Sequence, residues 1–498
     1  MNVCYRCIFM LFREYTLQIY RLEDFNAFRT EVGLPENLIC KNIPLNKCTI
    51  CLGVNQFCDN PSNLENVITL VKQQGFEFQD FKITFSISII AYINKIIAIC
   101  EAEQKNALDF KEIYKWIMSP KIARRLDVPA NLEGTFLVNV NFCNRDVTAI
   151  NDQNSEVSII ETLQQDLTDL GISQVKNQYG AKWKNKKQQE KDDLRSAKTQ
   201  MGAEQIIQLL SKTPISLLKE LKIVKNLLNQ NIDLMNLIQV ECSQESMLLF
   251  GRYIKHSREV SQTPWLIGDR EIKNLQDEIS VNLMDVFGSK TVYLHAAGRE
   301  DIDVRMLGIG RPFVCEFINP KFSISVKDRV PEMQGLVTSD VVFCHDFKIV
   351  DKKFFDDLKD IENSKAKAYC CVVWLQRRIT KKELEKRLNS LVDIEIKQIT
   401  PIRVLHRRSL MVRDKQIYKV HAEYINQHYF VLHVLASAGT YIKEFVHGDL
   451  GRTTPSIGSI LESEADILQL DVTQVYDSVH QVDLTNENWH KIQYIDRE

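Results

Sequence analysis

The residues best suited to chemistry lie in one short charged stretch bounded by two glycines, residues 298–308. Its charged side chains, in chain order, are Arg299, Glu300, Asp301, Asp303 and Arg305. A carboxylate beside arginines should stay ionised, because a nearby positive charge favours the charged form. An ionised aspartate in a polar loop can act as a nucleophile, a base or a metal ligand. The charge pattern alone favours a salt-bridged turn that has no chemical role, and a chemical role depends on segments further along the chain.

A metal-dependent version of this site would use Asp301 and Asp303 as ligands. Arg299 and Arg305 crowd the two carboxylates, and their positive charges disfavour a divalent cation there. The sequence therefore favours a direct role for the aspartate over a metal site.

Two C-x-x-C pairs near the start of the chain predict a structural zinc site. Their cysteines are Cys4, Cys7, Cys48 and Cys51. Each pair can place two thiolates on one turn, and four protein thiolates leave no open position for a substrate. Two alternatives stay open: Cys40 or Cys58 could replace one of the four ligands, or the cysteines could be buried as small apolar side chains.

The length and composition of the chain indicate a globular protein with several domains. A chain of 498 residues is too long for one ordinary core, and two or three domains are expected. The net charge of -2 means that any nucleic-acid site must be a local basic surface. Thirteen cysteines, an odd number, favour a reducing compartment over a disulfide framework. We find no export or membrane segment and therefore expect the nucleus and cytoplasm.

Hydrophobic periodicity predicts the elements that position the charged stretch. Residues 83–99 predict a buried strand that runs into a helix, since Asn94 and Lys95 interrupt an apolar run too short to span a bilayer. Further strands are predicted at 136–142, 367–374 and 429–436. Helices are predicted to start at Thr213-Pro214, with an apolar stripe through Leu217, Leu221, Val224 and Leu228, and at the capping box of Thr380 and Glu383. We place the main domain boundary near Val240.

The segment after the strand at 429–436 carries an unusual cation. A glycine turn with a threonine cap leads into a helix that has Lys443 in its first turn. Cations are disfavoured at a helix N-terminus, so this lysine should have an anionic partner nearby. The candidate partner is Asp301.

Three basic runs could contact a phosphate backbone. They lie at residues 182–198, 252–258 and 403–408. We interpret the segment from 251 to 270 as an extended arm that touches a phosphate-rich partner. A solvated helix face or an ordinary surface loop is the alternative for each run.

Four motifs resemble those of the pseudouridine synthases. Residues 298–301 resemble the catalytic loop, and 367–369 resemble the motif that carries the active-site tyrosine. Residues 439–443, followed by 449–451, resemble the motif whose basic residue pairs with the aspartate, and 470–472 resemble the last motif. The longer strings 298–308 and 405–408 are similar to one family in particular. This family is the archaeal and eukaryotic tRNA pseudouridine synthase with an N-terminal C-x-x-C site and a THUMP-like RNA-binding domain.

The resemblance implies an α+β fold in three parts. Residues 1–60 would form the zinc-binding segment and residues 61–240 a THUMP-like α/β accessory domain. Residues 241–498 would form the catalytic domain, a mixed and mostly antiparallel sheet with flanking helices that supports Asp301.

The resemblance also implies the chemistry. Asp301 would attack a flipped uridine as the nucleophile, Tyr369 would stack on the base, and Lys443 would hold the aspartate ionised. Other residues implied to contact the RNA are Arg299, Ile442, Leu470, Arg407 and Arg408. The implied substrate is the TΨC arm of tRNA, at uridines 54 and 55, with structural zinc but no catalytic cofactor. We expect a monomer without a membrane partner. The alternative is an RNA-binding scaffold that acts on primary microRNA, in precursor processing, independently of catalysis.

Overall fold

The described residues of the computed structural model form two compact units, 1–243 and 244–498. The structure describes residues 3–12, 48–58, 60–102, 107–143, 156–169, 203–221, 224, 237–267, 270–337, 339–361, 366–406, 408–476, 482–483, 485–486 and 488–492. Several sequence predictions fall outside these ranges and concern Cys40, residues 182–198, Leu228 and Arg407. No described helix combines the length and the apolar character that crossing a bilayer demands.

The first unit packs helices around a three-stranded sheet of order β1-β2-β3. Its strands are β1 (Lys82–Ser86), β2 (Phe136–Cys143) and β3 (Leu237–Gln244). Its helices are α1 (Tyr5–Phe12), α2 (Val54–Phe57), α3 (Pro61–Gln73), α4 (Ile89–Glu101), α5 (Phe110–Leu126), α6 (Glu156–Asp169), α7 (Ala203–Leu210) and α8 (Ile215–Leu218). β1 and β2 run parallel, which requires a crossover, and α4 and α5 lie in that connection.

The local predictions for this unit are partly confirmed. The strand that runs into a helix at 83–99 is present as β1 and α4, and Ser88 caps α4 by accepting from the amide of Ile90. The strand at 136–142 is present as β2. The helix predicted at Thr213 is wrong in its start and its length. The Thr213 hydroxyl donates to the Leu209 carbonyl, at the end of α7, and α8 is a single turn.

The second unit is built on one ten-stranded sheet. Its strands are β4 (Met247–Lys255), β7 (Thr291–Ala296), β8 (Val304–Ile318), β9 (Val342–Val350), β10 (Ala366–Leu375), β11 (Val392–Ile399), β12 (Val412–Asn426), β13 (Tyr429–Ala436), β14 (Thr453–Thr454) and β15 (Ala465–Tyr476), with a separate hairpin of β5 (Trp265–Ile267) and β6 (Arg270–Ile272). Its α-helices are α9 (Leu275–Phe287), α10 (Met333–Val337), α11 (Lys352–Ile361), α12 (Lys381–Leu388), α13 (Ile442–His447) and α14 (Ile457–Ile460). Short 3₁₀ helices span Ser325–Glu332, Ile402–Val404 and Asp449–Gly451.

The sheet order explains how distant parts of the chain meet. The order is β14-β11-β12-β13-β10-β15-β8-β4-β9, with β7 also paired to β8. Only β15 and β8 run parallel, and the other neighbours are antiparallel. The predicted mixed, mostly antiparallel sheet with flanking helices is therefore confirmed. β15 brings Leu470 opposite Val304, directly beside the charged stretch.

Helix α9 shows how the apolar pattern anchors helices on this sheet. Asn274 caps it through its side chain, and Gly288 ends it in the left-handed conformation. Its apolar face buries Leu283 and Phe287, and the Phe287 ring stacks on Phe317 of β8 with centroids 3.8 Å apart. Helix α9 thus packs against β8 near the C-terminal end of that strand.

Candidate active site

A cavity of about 860 Å³ opens in the second unit, beside the start of β8. Several segments that are distant in sequence line it, among them the loop before β8, the start of β10, and the turn that leads into α13. The predicted site residues that line it are Arg299, Asp301, Tyr369, Arg408, Ile442, Lys443 and Leu470. Of the residues assigned to the active site from the sequence, only Arg407 lies outside the described residues.

Asp301 lies at the edge of this cavity between two cations. Its Oδ2 is 3.1 Å from Nη1 of Arg403 and 3.6 Å from Nζ of Lys443. Its side chain is 38% exposed, so the carboxylate can reach a bound molecule. The structure thus brings Asp301 and the predicted Lys443 together, although they are 142 positions apart along the chain.

Lys443 contacts two carboxylates rather than one. It occupies the first turn of α13 as predicted, but Tyr441 is the N-cap, and the Thr440 hydroxyl donates to the Ser437 carbonyl instead of capping the helix. The Lys443 Nζ donates a 2.7 Å hydrogen bond to Asp303, which is shorter than its distance to Asp301. Partial burial alone would raise the pKa of Asp303, but the hydrogen bond and charge of Lys443 outweigh it and lower that pKa.

Arg403 is a site residue that the sequence analysis missed. Its Nε donates to the buried carboxylate of Glu444 at 2.7 Å, while its Nη1 reaches Asp301. Partial burial opposes its charge, but Glu444 and Asp301 together raise the pKa of Arg403. Because Glu444 lies in α13 next to Lys443, one helix turn fixes both cations that face Asp301. In the sequence, only the basic run at 403–408 indicated a role for Arg403, and the role that it indicated was contact with RNA.

A buried ion pair supports the loop that carries Asp301. Glu300 accepts from Nε of Arg311 at 2.9 Å, and the two side chains are 2% and 1% exposed. The Tyr253 hydroxyl donates to the same carboxylate, at 2.9 Å to Oε1. Burial raises the pKa of Tyr253, so its hydroxyl stays protonated and can donate. Arg311 also donates to the Ala297 carbonyl at 2.9 Å, which ties the start of the loop to β8.

Lys255 holds the loop from beneath. Its Nζ donates to the carbonyls of Val260, Asp301 and Ile302, at 3.0, 3.2 and 3.0 Å. The side chain is buried, and desolvation lowers its pKa, partly offset by Glu300. The interpretation of this segment as an extended arm was wrong for its first part, since residues up to Lys255 belong to β4. Lys255 therefore cannot contact RNA.

Arg258 also serves the loop rather than a partner. It donates to the carbonyls of Asp303 and Leu470 at 2.8 and 2.9 Å, and its Nη2 lies 2.6 Å from Asp471. Arg305 forms a bidentate pair with the same Asp471, at 3.0 and 2.6 Å. The cations of this region brace the loop against β15.

The second glycine of the stretch is required by its neighbours. Gly308 has a φ of +65°, and a Cβ there would lie 2.1 Å from the Thr473 carbonyl oxygen. A side chain would therefore push β15 away from β8, where Leu470 pairs with Val304. The glycine keeps these two parallel strands at hydrogen-bonding distance beside the cavity.

Tyr369 forms part of the cavity floor. It lies in β10, between Val434 of β13 and Val472 of β15. Burial raises its pKa to about 12, so the ring presents a neutral phenol at neutral pH. A neutral aromatic face can stack on a nucleobase but cannot act as a phenolate base.

The remaining cavity residues form apolar walls and a basic rim. Ile442 and Leu470 are buried at the wall, whereas Arg299 and Arg408 are exposed. Lys415, which the sequence analysis did not consider, also lines the cavity, and its Nζ donates to the Ala438 carbonyl at 2.6 Å. Apolar walls with convergent charges are typical of a site that binds a base and a phosphate-bearing backbone.

The first unit contains the predicted four-cysteine cluster. The sulfurs of Cys4, Cys7, Cys48 and Cys51 lie within 4.8 Å of one another, and all four residues are buried. The distances from Cys4 to Cys51 and from Cys7 to Cys48 are both 3.8 Å. Tetrahedral zinc with bonds of about 2.3 Å places its sulfurs about 3.8 Å apart, so the cluster fits zinc. Cys58 is buried but lies outside the cluster.

Sequence comparisons match both units to one family. The profile described as Pus10, C-terminal, matches residues 248–476, and the profile described as Eukaryotic Pus10, N-terminal, matches residues 48–151. The tRNA pseudouridine synthase Pus10 of Homo sapiens is 33% identical over 454 residues, which cover 87% of this chain and 79% of that protein. The Xenopus laevis protein of that name is 31% identical over 443 residues, covering 86% and 80%. The Pyrococcus furiosus protein is 37% identical over 242 residues, covering 48% and 60%.

Structural comparison finds distant neighbours among the solved structures. A Cbf5-Nop10-Gar1 complex matches with a TM-score of 0.26 and 12% identity, covering 48% of this chain and 58% of that chain. A pseudouridylate synthase matches with a TM-score of 0.18 and 10% identity, covering 48% and 69%.

Proposed function

Because the chain belongs to the Pus10 family of tRNA pseudouridine synthases, we propose that its Asp301 cavity isomerises uridine to pseudouridine in tRNA. The observation that carries this proposal is the convergence of Asp301, Tyr369 and Lys443, from three separate segments, on one cavity. Its volume of about 860 Å³ lies within the range of small-molecule sites and can admit a single nucleotide.

The substrate uridine must leave the stack of the RNA before it can react. The carbon that forms the new bond is otherwise covered by neighbouring bases, so the nucleotide is flipped into the cavity. Tyr369 receives the base on its ring, with Ile442 and Leu470 at the walls. Such stacking stabilises a base by about 1–3 kcal/mol, which offsets part of the cost of unstacking.

Asp301 then acts as the nucleophile on the flipped nucleoside. Its carboxylate attacks the ribose C1′, so a bond from its oxygen to C1′ forms as the bond between C1′ and N1 of uracil breaks. The uracil then rotates, its C5 attacks C1′, and the carboxylate leaves as the C5–C1′ bond forms. C5 loses a proton and N1 carries one in the product, so the atoms and electrons balance without a cofactor. Arg403 and Lys443 orient the carboxylate of Asp301, because their charged nitrogens lie 3.1 and 3.6 Å from its Oδ2.

The target position within tRNA is a further part of the proposal. We propose the TΨC arm, with uridines 54 and 55 as targets, and Arg299 and Arg408 as cations that hold its backbone at the cavity rim. The first unit would supply further RNA contacts through a THUMP-like domain at residues 61–240. The four cysteines would hold a structural zinc, because a closed thiolate set offers no position for substrate.

A matched pair of aspartate variants tests the proposal. Asp301→Asn should abolish pseudouridine formation in a tRNA transcript while the affinity for tRNA changes little, since the rim cations remain. Asp303→Asn removes the same charge two residues away and should retain measurable turnover, because Asp303 only holds Lys443. Full activity of Asp301→Asn would remove the enzyme assignment to this cavity. Equal loss in both variants would assign the decisive role to charge balance instead of to Asp301.

A further inference from the structure

Three histidines and a glutamate form a cluster in the second unit that the proposed reaction does not use. Its members are His421 and Glu423 on β12, His433 on β13, and His490 in the C-terminal segment. Ligand atoms of His421, Glu423 and His490 lie within 4.8 Å of one another, and His433 adjoins this group through Glu423. None of them lines the Asp301 cavity.

The sheet register places the first three on one face. His421 and His433 are direct cross-strand partners in the antiparallel pair of β12 and β13. Directly opposite residues project to the same side of a sheet, and Glu423 follows His421 by two positions, which returns it to that side. The hairpin therefore presents two imidazoles and a carboxylate together.

The fourth member is held in place by its neighbour. Trp489 is buried in a small apolar cluster with Ala366, Ala368 and Leu435. This anchor sets His490 over the hairpin, with its ring stacked on His421 at a centroid distance of 4.4 Å. The imidazole of His490 thus lies on the face of the hairpin that carries the other three side chains.

One nitrogen of each of the three imidazoles lies near the same carboxylate oxygen. Oε1 of Glu423 lies 3.3 Å from Nε2 of His433, 3.5 Å from Nε2 of His490 and 4.0 Å from Nε2 of His421. Simple ion pairing would require several protonated imidazoles side by side, and like charges that close repel one another. Donor atoms around a tetrahedral ion with bonds of about 2.0–2.1 Å are about 3.4 Å apart.

His433 gives an independent indication of a ligand. Both of its ring nitrogens are buried. Nε2 lies 3.3 Å from the carboxylate of Glu423, whereas Nδ1 forms no hydrogen bond with the described residues. A buried polar atom without a partner costs about 1–3 kcal/mol, so such atoms usually have one. A metal ion at the centre of the cluster would bind Nε2 of His433 and the carboxylate of Glu423 together.

We propose that His421, Glu423, His433 and His490 form a second metal site, for zinc, which fastens the C-terminal segment to β12 and β13. Imidazoles with one carboxylate suit zinc and neighbouring transition metals, whereas calcium and magnesium prefer all-oxygen sites. Four protein ligands make the site structural. Its role is distinct from the four-cysteine cluster, which lies in the other unit.

Metal content of matched variants tests this site. The full chain is dialysed against excess Zn²⁺, desalted, and assayed for bound zinc by mass spectrometry. We expect about two zinc ions per wild-type chain and about one in His433→Asn. His428→Asn, in the same hairpin but outside the cluster, should keep about two. Identical zinc content in His433→Asn and the wild type would overturn the proposal.

A measurement on the unaltered chain avoids dependence on how the variants fold. X-ray absorption at the zinc edge reports the average ligand shell of all bound zinc. With both sites filled, the shell should contain nitrogen or oxygen at about 2.0–2.1 Å and sulfur at about 2.3 Å in similar numbers. A shell of sulfur alone would refute the histidine site, and a mixed shell that survives loss of His433 would place the nitrogen ligands elsewhere.

Discussion

The ion pair between Glu300 and Arg311 lies directly beneath the catalytic loop, and breaking it should damage both stability and activity. Both side chains are almost completely buried, with 2.9 Å between Oε2 and Nε. In Glu300→Gln the guanidinium of Arg311 stays buried without a countercharge. Loss of one partner of a buried pair costs about 3–5 kcal/mol, which is a large share of the 5–15 kcal/mol that usually separates folded and unfolded states.

A double variant separates charge from packing. In Glu300→Gln combined with Arg311→Met no buried charge remains, and the cost in stability should be well below the sum of the two single costs. The free energy of unfolding is measured by urea titration, followed by circular dichroism. Turnover should fall in every variant, because the loop loses the contacts that fix Asp301, and a shift of about 1 Å can cost about 100-fold in rate.

The result that would refute this reasoning is a strictly additive cycle. If the double variant loses as much stability as the two single variants together, Glu300 and Arg311 do not act as a pair. Wild-type turnover in Glu300→Gln would likewise show that the pair does not position Asp301.

Three further predictions concern the cations, the tyrosine and the metal. Arg403→Gln should lower kcat about tenfold, because a charge-assisted hydrogen bond contributes about 1.5–3 kcal/mol and the lower value applies to the half-exposed Asp301. Arg403→Lys should restore part of the lost kcat. An unchanged kcat in both variants would exclude Arg403 from the site. Burial raises the pKa of Tyr369 from 10.0 to about 12, so the contribution of its neutral phenol to stability should be complete below pH 10 and lost as the pH rises towards 12. Across this window the free energy of unfolding should therefore fall less steeply with pH in Tyr369→Phe than in the wild type. Equal slopes would contradict the burial argument. Cys51→Ser should release zinc and destabilise the first unit, while the second unit unfolds as in the wild type. In the wild type, a chelator that strips only loosely held metal should leave activity unchanged. Loss of activity after this chelation would indicate a metal role for Asp301 and Asp303.

The parts of the fold that were predictable are those with a strong local pattern. The residues of β10 and β13 are mostly apolar, and both strands end at clear boundaries in the sequence. Thr380 caps α12 by accepting a hydrogen bond from the amide of Glu383. The same holds for the first turn of α13, where an unfavourable lysine pointed correctly to an anionic partner. Local physics decides these features, so one sequence is enough.

The partners across the sheet were not predictable in the same way. Lys255 looked like a surface cation because nothing near it in sequence marks it as buried. Its burial follows from the register of β4 against β8, which sets Lys255 opposite Met306. Arg403 likewise becomes a site residue only because its 3₁₀ turn meets α13, where Glu444 anchors it.

The site geometry also refined the predicted pairing of charges. Sequence reasoning assigned Lys443 to Asp301, whereas the lysine hydrogen-bonds Asp303 and only approaches Asp301. Both aspartates lie in the same turn, so their order of proximity depends on the side-chain rotamers. Motif spacing carries no information at that scale.

The measurement that tests the central claim most directly is nucleotide-resolution mapping of pseudouridine on tRNA incubated with the pure chain of 498 residues. The account predicts new pseudouridine in the TΨC loop with the wild type and none with Asp301→Asn at equal tRNA occupancy. Unmodified tRNA with the wild type under saturating binding, or an unchanged map with Asp301→Asn, would contradict it.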